Sequence, residues 1–136
     1  MRHALTILST PDVSRSVAFY DALLDRRPHV HVDVYAEYIL DGDQRIGLYA
    51  QETLASITGQ VATQPSPTGL SPAELYFYPG DLDAAMARAE AAGARLLSPL
   101  HARPWGDDAV YYADPFGVII VLARTTTSSP SSEAPS

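Results

Sequence analysis

Two stretches of this chain spell the same order of structural elements, and that repetition constrains the fold more than any single motif. In the first, Ala4–Leu8 is a short apolar run and Pro11-Asp12 opens a helical pattern. Val13, Val17, Tyr20 and Leu24 recur on one helical face. Asp12 suits the N-cap, because its carboxylate can accept the unpaired N–H groups of the first turn. His29–Tyr35, Glu37–Leu40 and Arg45–Ala50 then read as strands, with Asp41-Gly42-Asp43 as a turn. In the second, Glu74–Tyr78 is strand-like and Gly80-Asp81 opens the alanine-rich helix Leu82–Ala92, which Gly93 stops. Leu96–Leu100, Val110–Ala113 and Val118–Ala123 follow as strands, the last two joined by Asp114-Pro115-Phe116-Gly117. Superposing Asp81 on Asp12, 69 positions apart, lays β-α-β-β-β on β-α-β-β-β.

The expected fold class is therefore α+β, in two βαβββ modules. With 136 residues the chain fits one domain. Its expected limits are residues 1–124, with module one at about 1–52, a Pro/Ser/Gly-rich connection at about 53–72 and module two at about 73–124. A short helical turn around Leu54–Ile57 fits inside the connection. The segment 125–136, TTTSSPSSEAPS, holds no apolar residue larger than Ala and reads as a flexible tail.

Composition removes several chemistries. There is no cysteine, which excludes disulfides, thiolate metal sites and cysteine nucleophiles. All nine basic residues are Arg, which excludes a lysine Schiff base. A net charge of −7 argues against a nucleic-acid partner and favours a neutral or cationic ligand. No run is long and apolar enough for a membrane span and no apolar signal core begins the chain, so no membrane partner and a cytoplasmic setting are expected.

PDVSRSVAFYDALL resembles the first helix of the vicinal oxygen chelate superfamily, which holds glyoxalase I, bleomycin-resistance proteins and extradiol dioxygenases. GDLDAAMARAEAAGARLLSP resembles its second-module helix and strand, and PWGDDAVYYADPFGVIIVLAR its closing hairpin. The resemblance implies curled mixed sheets around a concave cavity, and a homodimer. Enzymes of the family hold one divalent metal through His, Gln or Glu on the first and last strands of each module. Carried onto this chain, those positions are Leu5, Glu74, the strand Ile46–Ala50 and Val121. Only Glu74 can ligate, so no cofactor is expected. The fallback is a displaced site for Zn, Ni, Mn or Fe at His31, Asp33 and Glu74. His29, His31 and Asp33 alternate with valines, which puts the polar set on one strand face about 7 Å apart. The same pattern also describes an ordinary half-buried strand.

A cavity without a metal acts through shape, aromatic faces and a few polar groups. The expected ligand contacts are Glu74, Tyr76 and Tyr78 on one strand face, Tyr49, Trp105 in Pro104-Trp105-Gly106, Asp108, His31 and Tyr38. Glu74 is also the one candidate for a catalytic base. Aromatic faces beside carboxylates suit flat or cationic organic molecules. The reading is a metal-independent small-molecule-binding protein resembling the bleomycin-resistance proteins, acidic dimers whose ligands lie in grooves shared between subunits. The alternatives are a lyase, isomerase or dioxygenase with the displaced metal, and a structural module whose tyrosines and Trp105 fill the cavity.

Overall fold

A computed structural model describes residues 1–64, 66 and 68–126. The chain divides between residues 66 and 67 into two compact units. In the first, β1 (Thr6–Thr10), α1 (Val13–Leu24), β2 (Val30–Val32), β3 (Tyr35–Ile39), β4 (Arg45–Ala50) and α2 (Gln51–Thr58) follow in order. In the second, β5 (Glu74–Phe77), α3 (Leu82–Ala91), β6 (Arg95–Ala102), β7 (Asp107–Ala113) and β8 (Ile119–Thr125) follow. Each unit builds a four-stranded mixed sheet, ordered β1-β4-β3-β2 and β5-β8-β7-β6. In both, the first strand lies parallel to the last and the remaining pairs are antiparallel. The repeated element order is thus a repeated topology.

The caps behave as the repeat requires. Asp12 Oδ1 accepts the Arg15 N–H at 3.0 Å, and Asp81 Oδ1 accepts the Ala84 N–H at 3.0 Å. α1 and α3 each cover one face of their own sheet. In unit one that face carries Ala36, Tyr38, Ile46 and Leu48, all buried, and Tyr38 donates its hydroxyl to Asp21 Oδ1 on α1 at 2.8 Å. In unit two it carries Val110, Tyr112, Ile120 and Leu122, beside Leu82, Ala85 and Ala89 of α3, and Tyr112 donates to Glu90 Oε2 at 2.9 Å. Tyr38 opposes Ile46, and Tyr112 opposes Ile120. Asp21 and Glu90 each lie nine positions after their cap. The tyrosine-to-helix-carboxylate bond is therefore a duplicated feature.

Several boundaries differ from expectation. β1 starts and ends two residues later than Ala4–Leu8, since Thr and Ser side chains sit easily on a sheet edge. The expected strand His29–Tyr35 is broken by a turn at Asp33-Val34, with Tyr35 opening β3. The helical turn in the connection is the eight-residue α2. β7 begins at Asp107, within a stretch whose two adjacent carboxylates hide its strand character. Thr125 ends β8, and Thr126 donates its N–H to Gly106 at 2.9 Å, so neither belongs to a tail. The rest of the expected tail lies outside the described residues.

Candidate functional site

The chemistry gathers on the sheet faces turned away from the helices. In unit two, register puts Tyr76, Val121 and Tyr111 in one row of that face. Tyr76, Tyr111 and Ile119 pack against the buried Ala109, Val121 and Ala123. At the end of this face, the segment Arg103-Pro104-Trp105-Gly106 turns the chain from β6 into β7. The Gly106 N–H donates to Arg103 O at 3.2 Å, and the Arg103 N–H to Asp107 O at 2.7 Å. Pro104 presets the first corner of that turn, and Gly106 takes φ of 99°, a conformation favouring glycine. Trp105 is thereby lifted out of the sheet and left 54% exposed.

Four side chains then join. Trp105 Nε1–H donates to the Tyr76 hydroxyl at 2.9 Å. Tyr76 donates to Asp107 Oδ2 at 2.5 Å, and Tyr78 donates to the same oxygen at 2.7 Å. Asp107 is only 5% exposed, whereas Tyr78 is 65% exposed. Burial and the hydrogen bond to Asp107 push the Tyr76 hydroxyl up to about 12. The same bond, more than burial, raises Tyr78. Both phenols are therefore protonated donors at neutral pH, and neither is a base. Across the face, the Arg103 guanidinium stands 4.9 Å from the Tyr111 ring centroid. It is held by Ala109 O, Ser98 Oγ and Pro99 O. Burial, then the Glu74 carboxylate, raises Tyr111, against the lowering effect of Arg103.

Among the expected contacts, the structure thus brings together Tyr76, Tyr78 and Trp105. The carboxylate that joins them is Asp107, not Asp108. Asp108 points the other way in the strand and accepts the Thr126 hydroxyl at 2.8 Å and Arg124 Nε–H at 3.1 Å, which in that order hold it below the usual carboxylate range. Strand alternation could have separated the two acids, had β7 been read back to residue 107. Glu74 is exposed and shares the far face with Tyr76.

Unit one places its candidates differently. Tyr38 is fully buried on the helix side, with its hydroxyl engaged by Asp21, and is a packing residue. His31 is exposed on β2 opposite Ala36, on the helix side of the sheet, and Asp33 sits in the following turn. The expected shared face of His29, His31 and Asp33 does not form, because the turn ends the alternation. Tyr49 meets Tyr35 edge to face, centroids 5.3 Å apart. Tyr35 lies over Gly47, where an added Cβ would fall 2.5 Å from its hydroxyl, and so reaches Glu37 Oε1 at 2.6 Å. Arg45 Nη1 and His29 Nε2 complete Glu37 at 3.1 and 3.0 Å. The Tyr35 hydrogen bond leads the causes that hold Glu37 low.

The donor set does not fit the divalent metal of the superfamily's enzymes. Leu5 and Val121 have no ligating atom, β4 carries no His, Gln, Asp or Glu, and Val121 is fully buried. Among the described residues, no three His, Asp or Glu side chains are gathered as a metal site would need.

The sequence matches the family model described as Glyoxalase/Bleomycin resistance protein/Dioxygenase superfamily over residues 2–122. The chain belongs to this superfamily. Solved structures agree on the fold. A glyoxalase-related enzyme from Fulvimarina pelagi aligns with TM-score 0.77 and 23% identity, over 90% of this chain and 88% of that one. A glyoxalase/bleomycin resistance protein/dioxygenase from Nocardioides gives 0.74 and 20%, over 98% and 89%. A glyoxalase/bleomycin resistance protein/dioxygenase family enzyme from Burkholderia phytofirmans PsJN gives 0.73 and 18%, over 90% and 98%. At these identities the likeness is one of fold. No curated protein matches the sequence at a significant level. Among the described residues, no helix is long and apolar enough to cross a membrane.

Proposed function

We propose that this superfamily member is a metal-independent small-molecule-binding protein, which holds a neutral or cationic aromatic compound against the Tyr76–Tyr78–Trp105 face. The observation that carries the reading is the shared Asp107. A buried carboxylate fixes two tyrosines that are exposed to different degrees, and one of them fixes the exposed indole. Preorganised aromatic surface is what a stacking ligand needs, since little side-chain freedom is left to lose on binding. The acidic net charge favours a cation over an anion at such a face. Binding without a metal is supported by the single ligating residue among the superfamily's four positions. A homodimer in the cytoplasm completes the proposal, on the resemblance to bleomycin-resistance proteins.

The chain has one tryptophan, so its fluorescence reports on this face alone. Titration with planar aromatic cations is expected to change Trp105 emission saturably, with and without a chelator. Trp105→Ala, followed by calorimetry, is expected to weaken binding by about 1–3 kcal/mol. Unchanged affinity in that variant would remove the face from consideration. Binding that vanishes with the chelator would restore a metal-dependent reading.

A further inference from the structure

The rings of Tyr76 and Tyr78 meet with centroids 5.6 Å apart and planes inclined at 69°. Aromatic faces at that angle form a corner, not a stack. Trp105 is tied to the corner through the Tyr76 hydroxyl, and Asp107 receives the protons of both phenols on one oxygen. A phenol donating to a carboxylate gains electron density in its ring, and the negative ring face attracts a cation more strongly. We propose that this corner takes a quaternary ammonium group: the tyrosine faces and the indole contact its methyl groups, and Asp107 supplies the opposing charge. The proposal rests on the small-molecule-binding reading and narrows its ligand class.

The hydrogen bonds already made at the corner favour the methylated cation over a primary amine. A primary ammonium carries three N–H donors, each of which needs an acceptor once water is displaced. At the corner, Asp107 Oδ2 already accepts two hydroxyls and the Tyr76 oxygen already accepts the indole N–H. A quaternary ammonium has no N–H and brings no donor to satisfy. Its charge spreads over methyl groups that pack on ring faces, and its Coulomb attraction to Asp107 needs no direct bond. A neutral isostere keeps the packing and loses the attraction.

The test is calorimetric titration of the full chain with benzyltrimethylammonium, benzylammonium and neopentylbenzene, the neutral carbon isostere of the first. Benzyltrimethylammonium is expected to bind about tenfold tighter than either. Tyr78→Leu removes one wall and should bring the preference for the quaternary ion close to unity; Tyr78→Phe keeps the ring and should retain most of it. Both variants remove one of the two hydroxyls that Asp107 accepts, so the melting temperature is measured alongside to show that each is folded at the titration temperature. Equal binding of the isostere overturns the cation corner and leaves a small-molecule site standing. Equal or tighter binding of benzylammonium overturns it in favour of an amine site built on hydrogen bonds. Binding of none of the three overturns the corner and the aromatic-ligand reading together. A preference that survives Tyr78→Leu overturns the corner alone.

Discussion

The two modules share a scaffold on one face of each sheet and part company on the other. On the helix side the correspondence extends to a single bond type: Tyr38 to Asp21 in module one, Tyr112 to Glu90 in module two. On the far side, Ile7 and Ser9 of β1 stand where module two has Tyr76 of β5 and Tyr78 just after it, each pair at the same distance before its helix cap. Gly47 stands where β8 carries Val121. Module one uses its far face to complete a carboxylate: Glu37 is met by Tyr35, Arg45 and His29. Module two uses its far face to orient aromatic rings around Asp107 while leaving Tyr78 and Trp105 exposed. The helix-side face is held by packing that both modules need in order to fold. The far face is where one module acquired a feature the other lacks.

The largest expected effect comes from forcing module two back toward a metal-ligating far face. Val121→Glu places a carboxylate where exposure is zero, against Tyr76 and Tyr111. An uncompensated buried charge is expected to cost about 3 kcal/mol or more, read by urea denaturation. A variant of wild-type stability that takes up zinc would overturn the reading that this face is unsuited to a metal. The next effect tests the shared bond. Tyr38→Phe should cost about 2 kcal/mol, because it strips the half-buried Asp21 of its donor; the same hydroxyl also lies 3.3 Å from Val17 O. Tyr112→Phe should cost about 1 kcal/mol, because the exposed Glu90 turns to water instead. Equal losses would mean that the duplicated bond is worth the same whatever the exposure of its acceptor.

Most of this scaffold was legible in the sequence, because it is written in patterns with a physical period. The caps Asp12 and Asp81, the spacing of Val13, Val17 and Tyr20, and the repeated element order all survive in the structure. The site was less legible. Tyr76, Tyr78 and Trp105 were expected as contacts, since alternation and a Pro-x-Gly turn mark them out. Tyr38 carries the same residue type and points into the core, and only the register of β3 against β4 decides which way it faces. Asp107 and Asp108 are adjacent, so a one-residue uncertainty in strand start exchanges their roles. The Glu37 cluster joins residues of two strands, β3 and β4, with His29 from the segment before β2, and no local spacing announces it.

The two far faces should also part in their response to pH. Glu37 is held low in the folded state, so its contribution to stability is present above the unfolded glutamate range and is lost as pH falls through the folded value. Glu37→Gln is expected to flatten the acid limb of the stability curve. Tyr76 is raised to about 12, so its contribution is complete below the unfolded value of 10.0 and is lost as pH rises from there to about 12. Tyr76→Phe is expected to flatten part of the alkaline limb. Thermal melts across pH on both variants check the separation, and an alkaline limb unchanged by Tyr76→Phe would contradict it.

The smallest expected effect concerns the acid beside the site. Asp108 is bonded to Arg124 and Thr126, and the Arg124 side chain is half exposed. A pair in that setting contributes little, since solvent screens it and two side chains must be ordered to make it. Arg124→Gln is therefore expected to cost about 0.5 kcal/mol in urea denaturation and to leave Trp105 emission unchanged. The emission carries the argument. Asp107 touches Tyr76 and Tyr78, which hold the indole; Asp108 faces the opposite side of β7 and does not. A shift in Trp105 fluorescence on losing Arg124 would mean that the neighbouring carboxylates act as one unit, and that the ligand face extends around the edge of the strand.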